Sequence, residues 1–137
     1  LDRVAPGLFT ANGNGTGPAA AAVLRIKSNG VQSFEPAVRL DTSTNKFVTV
    51  PIDMSVVGDQ VFLLLFGTGI RFRSGLSGVN VTIGGVTQQV TFADKQGGQV
   101  GLDQINVRLS GQLPKGEVDV VATVDGQRSN IVRVNIK

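Results

Sequence analysis

The chain has 137 residues, 41% of them hydrophobic and 17% charged, with a formal net charge of +3 and no Cys, His, Trp or Tyr. It is too apolar for a disordered chain, and no apolar run approaches the ~20 residues of a membrane helix, so no membrane insertion is expected. Without His or Cys it lacks the neutral-pH proton shuttle, the thiol nucleophile and the commonest metal ligands, so the expectation is a non-enzyme with no cofactor and no metal.

Basic residues stand singly along the chain (Arg3, Arg39, Lys46, Lys95, Lys115, Arg128, Arg133), with Arg25/Lys27 and Arg71/Arg73 the only close pairs. With no Tyr or Trp on which bases could stack, nucleic acid is not an expected partner. A first residue other than Met fits either a trimmed fragment or, as expected here, an exported product whose signal peptide has been removed.

In chain order, the segment from residue 1 to 17 is Gly-rich, and its stretch Asn12-Gly13-Asn14-Gly15-Thr16-Gly17 should be mobile in an isolated monomer. Alternation in Ala20, Ala22, Leu24 and Ile26 predicts a half-buried strand with those residues inward and Val23, Arg25 and Lys27 outward. Asn29-Gly30 reads as a hairpin turn, and Val38–Leu40 and Phe47–Ile52 as strands around a loop at Asp41–Asn45. Val61-Phe62-Leu63-Leu64-Leu65-Phe66 is apolar throughout and predicts a central strand covered on both faces. Val79–Ile83, Gly84-Gly85 and Val86–Phe92 form a hairpin signal, with Val86, Val90 and Phe92 expected on one face. Ile105, Val107 and Leu109 mark a further strand. Val118, Val120, Ala122 and Val124 face inward on the next, and Asp125-Gly126 turns the chain into Ile131–Ile136. Turn residues at intervals of about ten predict an all-β domain over 1–137, an immunoglobulin-like β-sandwich of two mostly antiparallel sheets with about seven to nine strands.

The segments Ala5–Ala21, Leu65-Phe-Gly-Thr-Gly-Ile70, Val81-Thr-Ile-Gly-Gly-Val86, Gly101-Leu-Asp-Gln-Ile-Asn-Val-Arg108, Leu113-Pro-Lys-Gly116 and Ser129-Asn-Ile-Val132 carry a resemblance. In that order they resemble the IPT/TIG-like, immunoglobulin-like C-terminal domain of secreted acidobacterial-type proteins, with residues 28–56 the poorest match. The resemblance implies a fold and an extracellular or cell-surface setting, and brings no catalytic residues with it.

The acids Asp2, Glu35, Asp41, Asp53, Asp59, Asp94, Asp103, Glu117, Asp119 and Asp125 form neither a spaced catalytic pair nor a calcium loop. Gly67-Thr-Gly-Ile-Arg-Phe lacks the Lys-Ser/Thr ending of a phosphate loop. Asp103 and Asn106 near Lys residues are weak grounds for an isopeptide bond. A glycan-binding face would need aromatic platforms, and several of the seven Phe are expected in the core.

Two functions therefore remain. In the first, the chain is a non-catalytic extracellular structural protein, a subunit of a surface assembly or filament built by β-edge contacts. Its 1–17 segment docks there on a neighbouring copy through Val4, Leu8 and Phe9. In the second, it is an adhesion or glycan-binding module of a larger secreted protein, with surface glycan or neighbouring domains as partners.

Overall fold

The structure, a computed structural model, describes residues 4–98 and 101–137. The strands are β1 (Gly7–Leu8), β2 (Ala21–Ile26), β3 (Gln32–Pro36), β4 (Val38–Asp41), β5 (Lys46–Thr49), β6 (Pro51–Ile52), β7 (Gln60–Thr68), β8 (Val79–Ile83), β9 (Val86–Lys95), β10 (Asp103–Arg108), β11 (Gly116–Val124), β12 (Gln127–Arg128) and β13 (Val132–Ile136). The only helix among the described residues is one 3-10 turn at Leu76–Gly78. The fold is all-β.

One large sheet runs β3-β2-β7-β10-β9-β8-β11-β13-β6, with β1 beside β7 and β12 beside β11, while β4 and β5 pair apart as a hairpin. The strands outnumber the seven to nine expected because the chain adds short pieces, β1, β6 and β12, and the separate β4–β5 hairpin. Strand β9 is where the sheet curls. Its first half pairs with β8 and its second half with β10, and the ladder shifts register between Asn106 and Val107. The two halves of the sheet thereby face each other and close one core of Val, Ile, Leu and Ala.

The local turns follow their sequence signals. Gly84 and Gly85 both have positive φ (58° and 81°), as do Asp125 and Gly126 (48° and 82°), which is the backbone of the tight hairpin turn that matches strand twist. Lys27–Val31 closes the β2–β3 hairpin through Gly30 at φ 88°. Gly67 and Gly69 have a different purpose: a Cβ at either would collide with the backbone carbonyl of Gly7 or Ala5. They let the N-terminal segment lie directly on the end of β7.

Two expected facings are reversed, and a third strand is covered less than expected. On β2 it is Val23 and Arg25 that are buried, while Ala22, Leu24 and Ile26 lie on the outer face. The register decides this, since Val23 stands opposite Leu63 and Arg25 opposite Val61, both core residues, and directly opposed side chains share a face. On β9, Val90 opposes Val107 and Phe92 opposes Asn106, so Thr91 is an extra residue that turns Phe92 outward and gives Ala93 the inward place. On β7, Val61, Leu63 and Leu65 are fully buried as expected of a central strand, but Phe62 and Phe66 on its other face stay partly exposed. Both faces are not covered.

Truncation should separate the two faces of β7. Leu63→Ala and Leu65→Ala each remove a fully buried side chain and are expected to cost about 2–5 kcal/mol in urea unfolding. Phe62→Ser, on the partly exposed outer face, should cost clearly less.

Candidate functional site

The seven Phe are the residues whose placement departs most from expectation, because none of them belongs to the buried core. Branched aliphatic residues fill the narrow space between the two halves of the sheet, and the alternation of each strand sends the rings outward. Register places Phe34 opposite Leu24, Leu24 opposite Phe62, and Ala22 opposite Leu64, all on the outer face of β3, β2 and β7. Phe66 follows on the same face of β7, and the Phe9 N–H donates to the Phe66 carbonyl at 2.8 Å, which extends the row beyond β1. Phe92 joins it across β10 beside Asn106. Phe34 is 71% exposed, Phe9 41% and Phe92 39%. A contiguous apolar patch of this kind, rimmed by polar residues, is a feature of interaction surfaces.

The rim is specific. On the β10 and β9 side the same face carries Gln104, Asn106, Arg108, Gln89 and Asp94, with Gln104 Nε2 donating to Asn106 Oδ1 at 2.7 Å. One half of the face is therefore aromatic and aliphatic, and the other is amide-rich.

Val4, Leu8 and Phe9 are separated by the fold. Val4 and Leu8 are buried in the core of their own chain, whereas Phe9 faces out. The Ala5 N–H donates to the Gly69 carbonyl at 3.1 Å, β1 pairs with Gly67 and Thr68, and Asn130 clamps the segment. Its Oδ1 accepts from the Leu8 N–H at 2.7 Å and its Nδ2 donates to the carbonyls of Leu8 and Gly15. The Gly-rich stretch likewise finds its hydrogen-bond partners within the chain. Asn12 Oδ1 accepts from the Thr10 hydroxyl and the Asn14 N–H, and Thr10 Oγ1 accepts from the Gly15 N–H. Residues 1–3 of the expected docking segment lie outside the described residues.

A second polar feature lies at the open seam of the curled sheet. Arg25, buried at the inner mouth of β2, donates from Nε and Nη2 to the two oxygens of Glu35 (2.7 and 3.2 Å), from Nη1 to Asp59 (3.1 Å) and from Nη2 to the Asp53 carbonyl (2.8 Å). The Glu35 hydrogen bonds raise the guanidinium pKa above its ordinary value, so Arg25 stays charged at any working pH. These bonds tie β2 and β3 to the segment after β6 and to the start of β7. The cleft above them, about 590 Å³ and lined by Lys27, Ser33, Val56 and Val57 among others, is therefore walled by charges already paired with one another. Asp103 does a similar task elsewhere, accepting from the N–H groups of Ile70 and Arg71 and from Arg71 Nε. Among the described residues no group of three or more acids could hold a metal ion, and no helix is long and apolar enough to cross a membrane.

The sequence reading missed the aromatic face because it assigned Phe to the core by type. The available signal was in β7 itself, where Phe62 and Phe66 alternate with Val61, Leu63 and Leu65. No family model, curated protein or solved structure matches the chain.

Two outcomes test the polar anchors. Arg25→Met leaves the buried Asp59 carboxylate without its counter-charge and should destabilise the fold by about 3–5 kcal/mol in denaturant unfolding. Asp53 sits below its ordinary value of 3.8 because the Ser55 hydroxyl, and then the Ser55 N–H, hydrogen-bond its charged form. A depressed folded pKa stabilises this turn above about pH 4 and loses that contribution as pH falls through the depressed value. In an NMR titration, Ser55→Ala should return Asp53 toward 3.8, with no change at Asp41, which Ser43 holds in the same way.

Proposed function

We propose that this chain is a non-catalytic structural module, an immunoglobulin-like β-sandwich of the IPT/TIG-like kind, that assembles with copies of itself at the cell surface or outside the cell. The curl at β9, which brings two antiparallel half-sheets face to face over one core, supports the sandwich reading. The observation that carries the function is the outward row Phe34, Leu24, Phe62 and Phe66. Burying such a row against a partner releases water from apolar surface at roughly 25 cal/mol per Å². A chain that gains nothing for its core from these rings retains them as contact area. Paired charges in the 590 Å³ cleft, and the lack of any His or Cys, argue in the same direction against catalysis.

A second reading has its own observation. Gln104, Asn106, Arg108 and Asp94 beside Phe92 combine hydrogen-bonding groups with a ring face, the pairing a glycan-binding surface uses. With every Phe outside the core, the objection that no ring is available for sugar falls away.

Sedimentation velocity over a range of concentrations decides between them. The assembly reading expects concentration-dependent oligomers that the double variant Phe62→Ser/Phe92→Ser dissolves while its far-ultraviolet circular dichroism stays that of the parent. A protein that remains monomeric throughout overturns this reading. Saturable binding of oligosaccharides to the monomer, lost on Asn106→Ala, would establish the second.

A further inference from the structure

We infer that the contact between copies is made at the edge of β3, where a second copy adds its own β3 antiparallel across a two-fold axis through Phe34; this rests on the assembly reading above. Among the described strands β3 pairs only with β2, so one side of its backbone is free. Which groups lie on that side follows from the ladder. The Lys27 N–H donates to the Val31 carbonyl at 2.9 Å, which fixes the hydrogen-bonded phase of the β2–β3 pair. In an antiparallel pair bonded and non-bonded positions alternate. Arg25–Ser33 and Val23–Glu35 are then bonded, and Gln32, Phe34 and Pro36, opposite Ile26, Leu24 and Ala22, turn their backbone groups away from β2. The free edge thus offers the N–H and carbonyl of Gln32 and Phe34 and the carbonyl of Pro36. The absent Pro36 N–H is one that β2 never needed.

A second copy fits that edge better than any arbitrary strand. With the two-fold axis at Phe34, each Phe34 N–H meets the Phe34 carbonyl of the other copy, and each Gln32 N–H meets a Pro36 carbonyl. Every free donor is used, and the residue without a donor supplies an acceptor. Charge agrees with this register. Glu35, already neutralised by Arg25, stands opposite Ser33 of the second copy, whereas an axis at Glu35 would set two carboxylates side by side. The side chains of Gln32, Phe34 and Pro36 are all exposed. The apolar row on β3, β2 and β7 then continues across the axis as one sheet, with the most exposed Phe of the chain, Phe34, at its centre.

The chain has no Cys, so a single introduced thiol can be cross-linked only between copies. Hydrogen-bonded antiparallel partners have Cα atoms about 5.5 Å apart, wide at Cβ for an unstrained disulfide but within reach of a short thiol-reactive cross-linker. In this chain such a cross-linker should therefore join copies of Phe34→Cys at least about tenfold faster than copies of Ile131→Cys, which is 45% exposed and lies before β13, away from β3. Phe34→Glu, which sets two like charges at the axis, should weaken self-association by about tenfold or more without changing the monomer's fold. Equal cross-linking of the two thiol variants, with oligomers that Phe62→Ser/Phe92→Ser still dissolves, would overturn the edge register and leave face-mediated assembly standing. A parent chain monomeric at every concentration would overturn both.

Discussion

Strand β7 can bury only one of its two faces, and the rest of the molecule is arranged around that constraint. A chain of this size has enough strands to lay one half-sheet over the other, and none to cover the outside of either. Val61, Leu63 and Leu65 take the covered face with Ile105, Val107 and the inward residues of β11 and β13. Phe62, Leu64 and Phe66 are left on the other, because successive side chains of a strand must point opposite ways. Every neighbour of β7 inherits the division through its register. That is why Val23 is inside and Leu24 outside, although both are aliphatic.

Polar side chains secure what this arrangement leaves loose. A sheet that curls without closing has a seam, and the N-terminal segment has only short β pairing. Arg25 spans the seam with four hydrogen bonds to groups from three different segments, and Asn130 holds β1 and the Gly-rich loop through three. Both act locally as tertiary fasteners. Their partners are far away in sequence, so each closes a long loop whose entropy would otherwise oppose docking. The same fasteners account for the Leu-Phe-Gly-Thr-Gly sequence at the end of β7, where the backbone of residues 5–8 comes too close for any Cβ.

The proposed function rests on surplus rather than on a pocket. The core is complete without aromatic residues, and the cleft at Arg25 is walled by charges that satisfy one another. What remains outside both is the row of rings on the outer sheet face and the free backbone of β3 next to it. An apolar face that borders an open strand edge offers a partner two kinds of contact together, directional hydrogen bonds and buried area. The amide-rich half of the same face has one ring, Phe92, and no open edge.

The sequence alone determined the class and the turns. No His or Cys, a period of two and paired turn residues at Asn29-Gly30, Gly84-Gly85 and Asp125-Gly126 are local facts, and they specify an all-β chain with hairpins at those positions because turn geometry depends on the residues in the turn. The bounds of β8, Val79–Ile83, were legible for the same reason. Facing was not. A one-residue change of register exchanges the two faces of a strand, and register is set by partners distant in the chain: Leu63 for Val23, Asn106 for Phe92. Residue type misled for Arg25, admitted to the interior because Glu35 and Asp59 meet it there, and for Phe, which composition assigns to the core. Tertiary structure alone decided that aliphatic side chains fill the narrow gap and that the rings stay outside, and with that it decided where the candidate interaction surface lies.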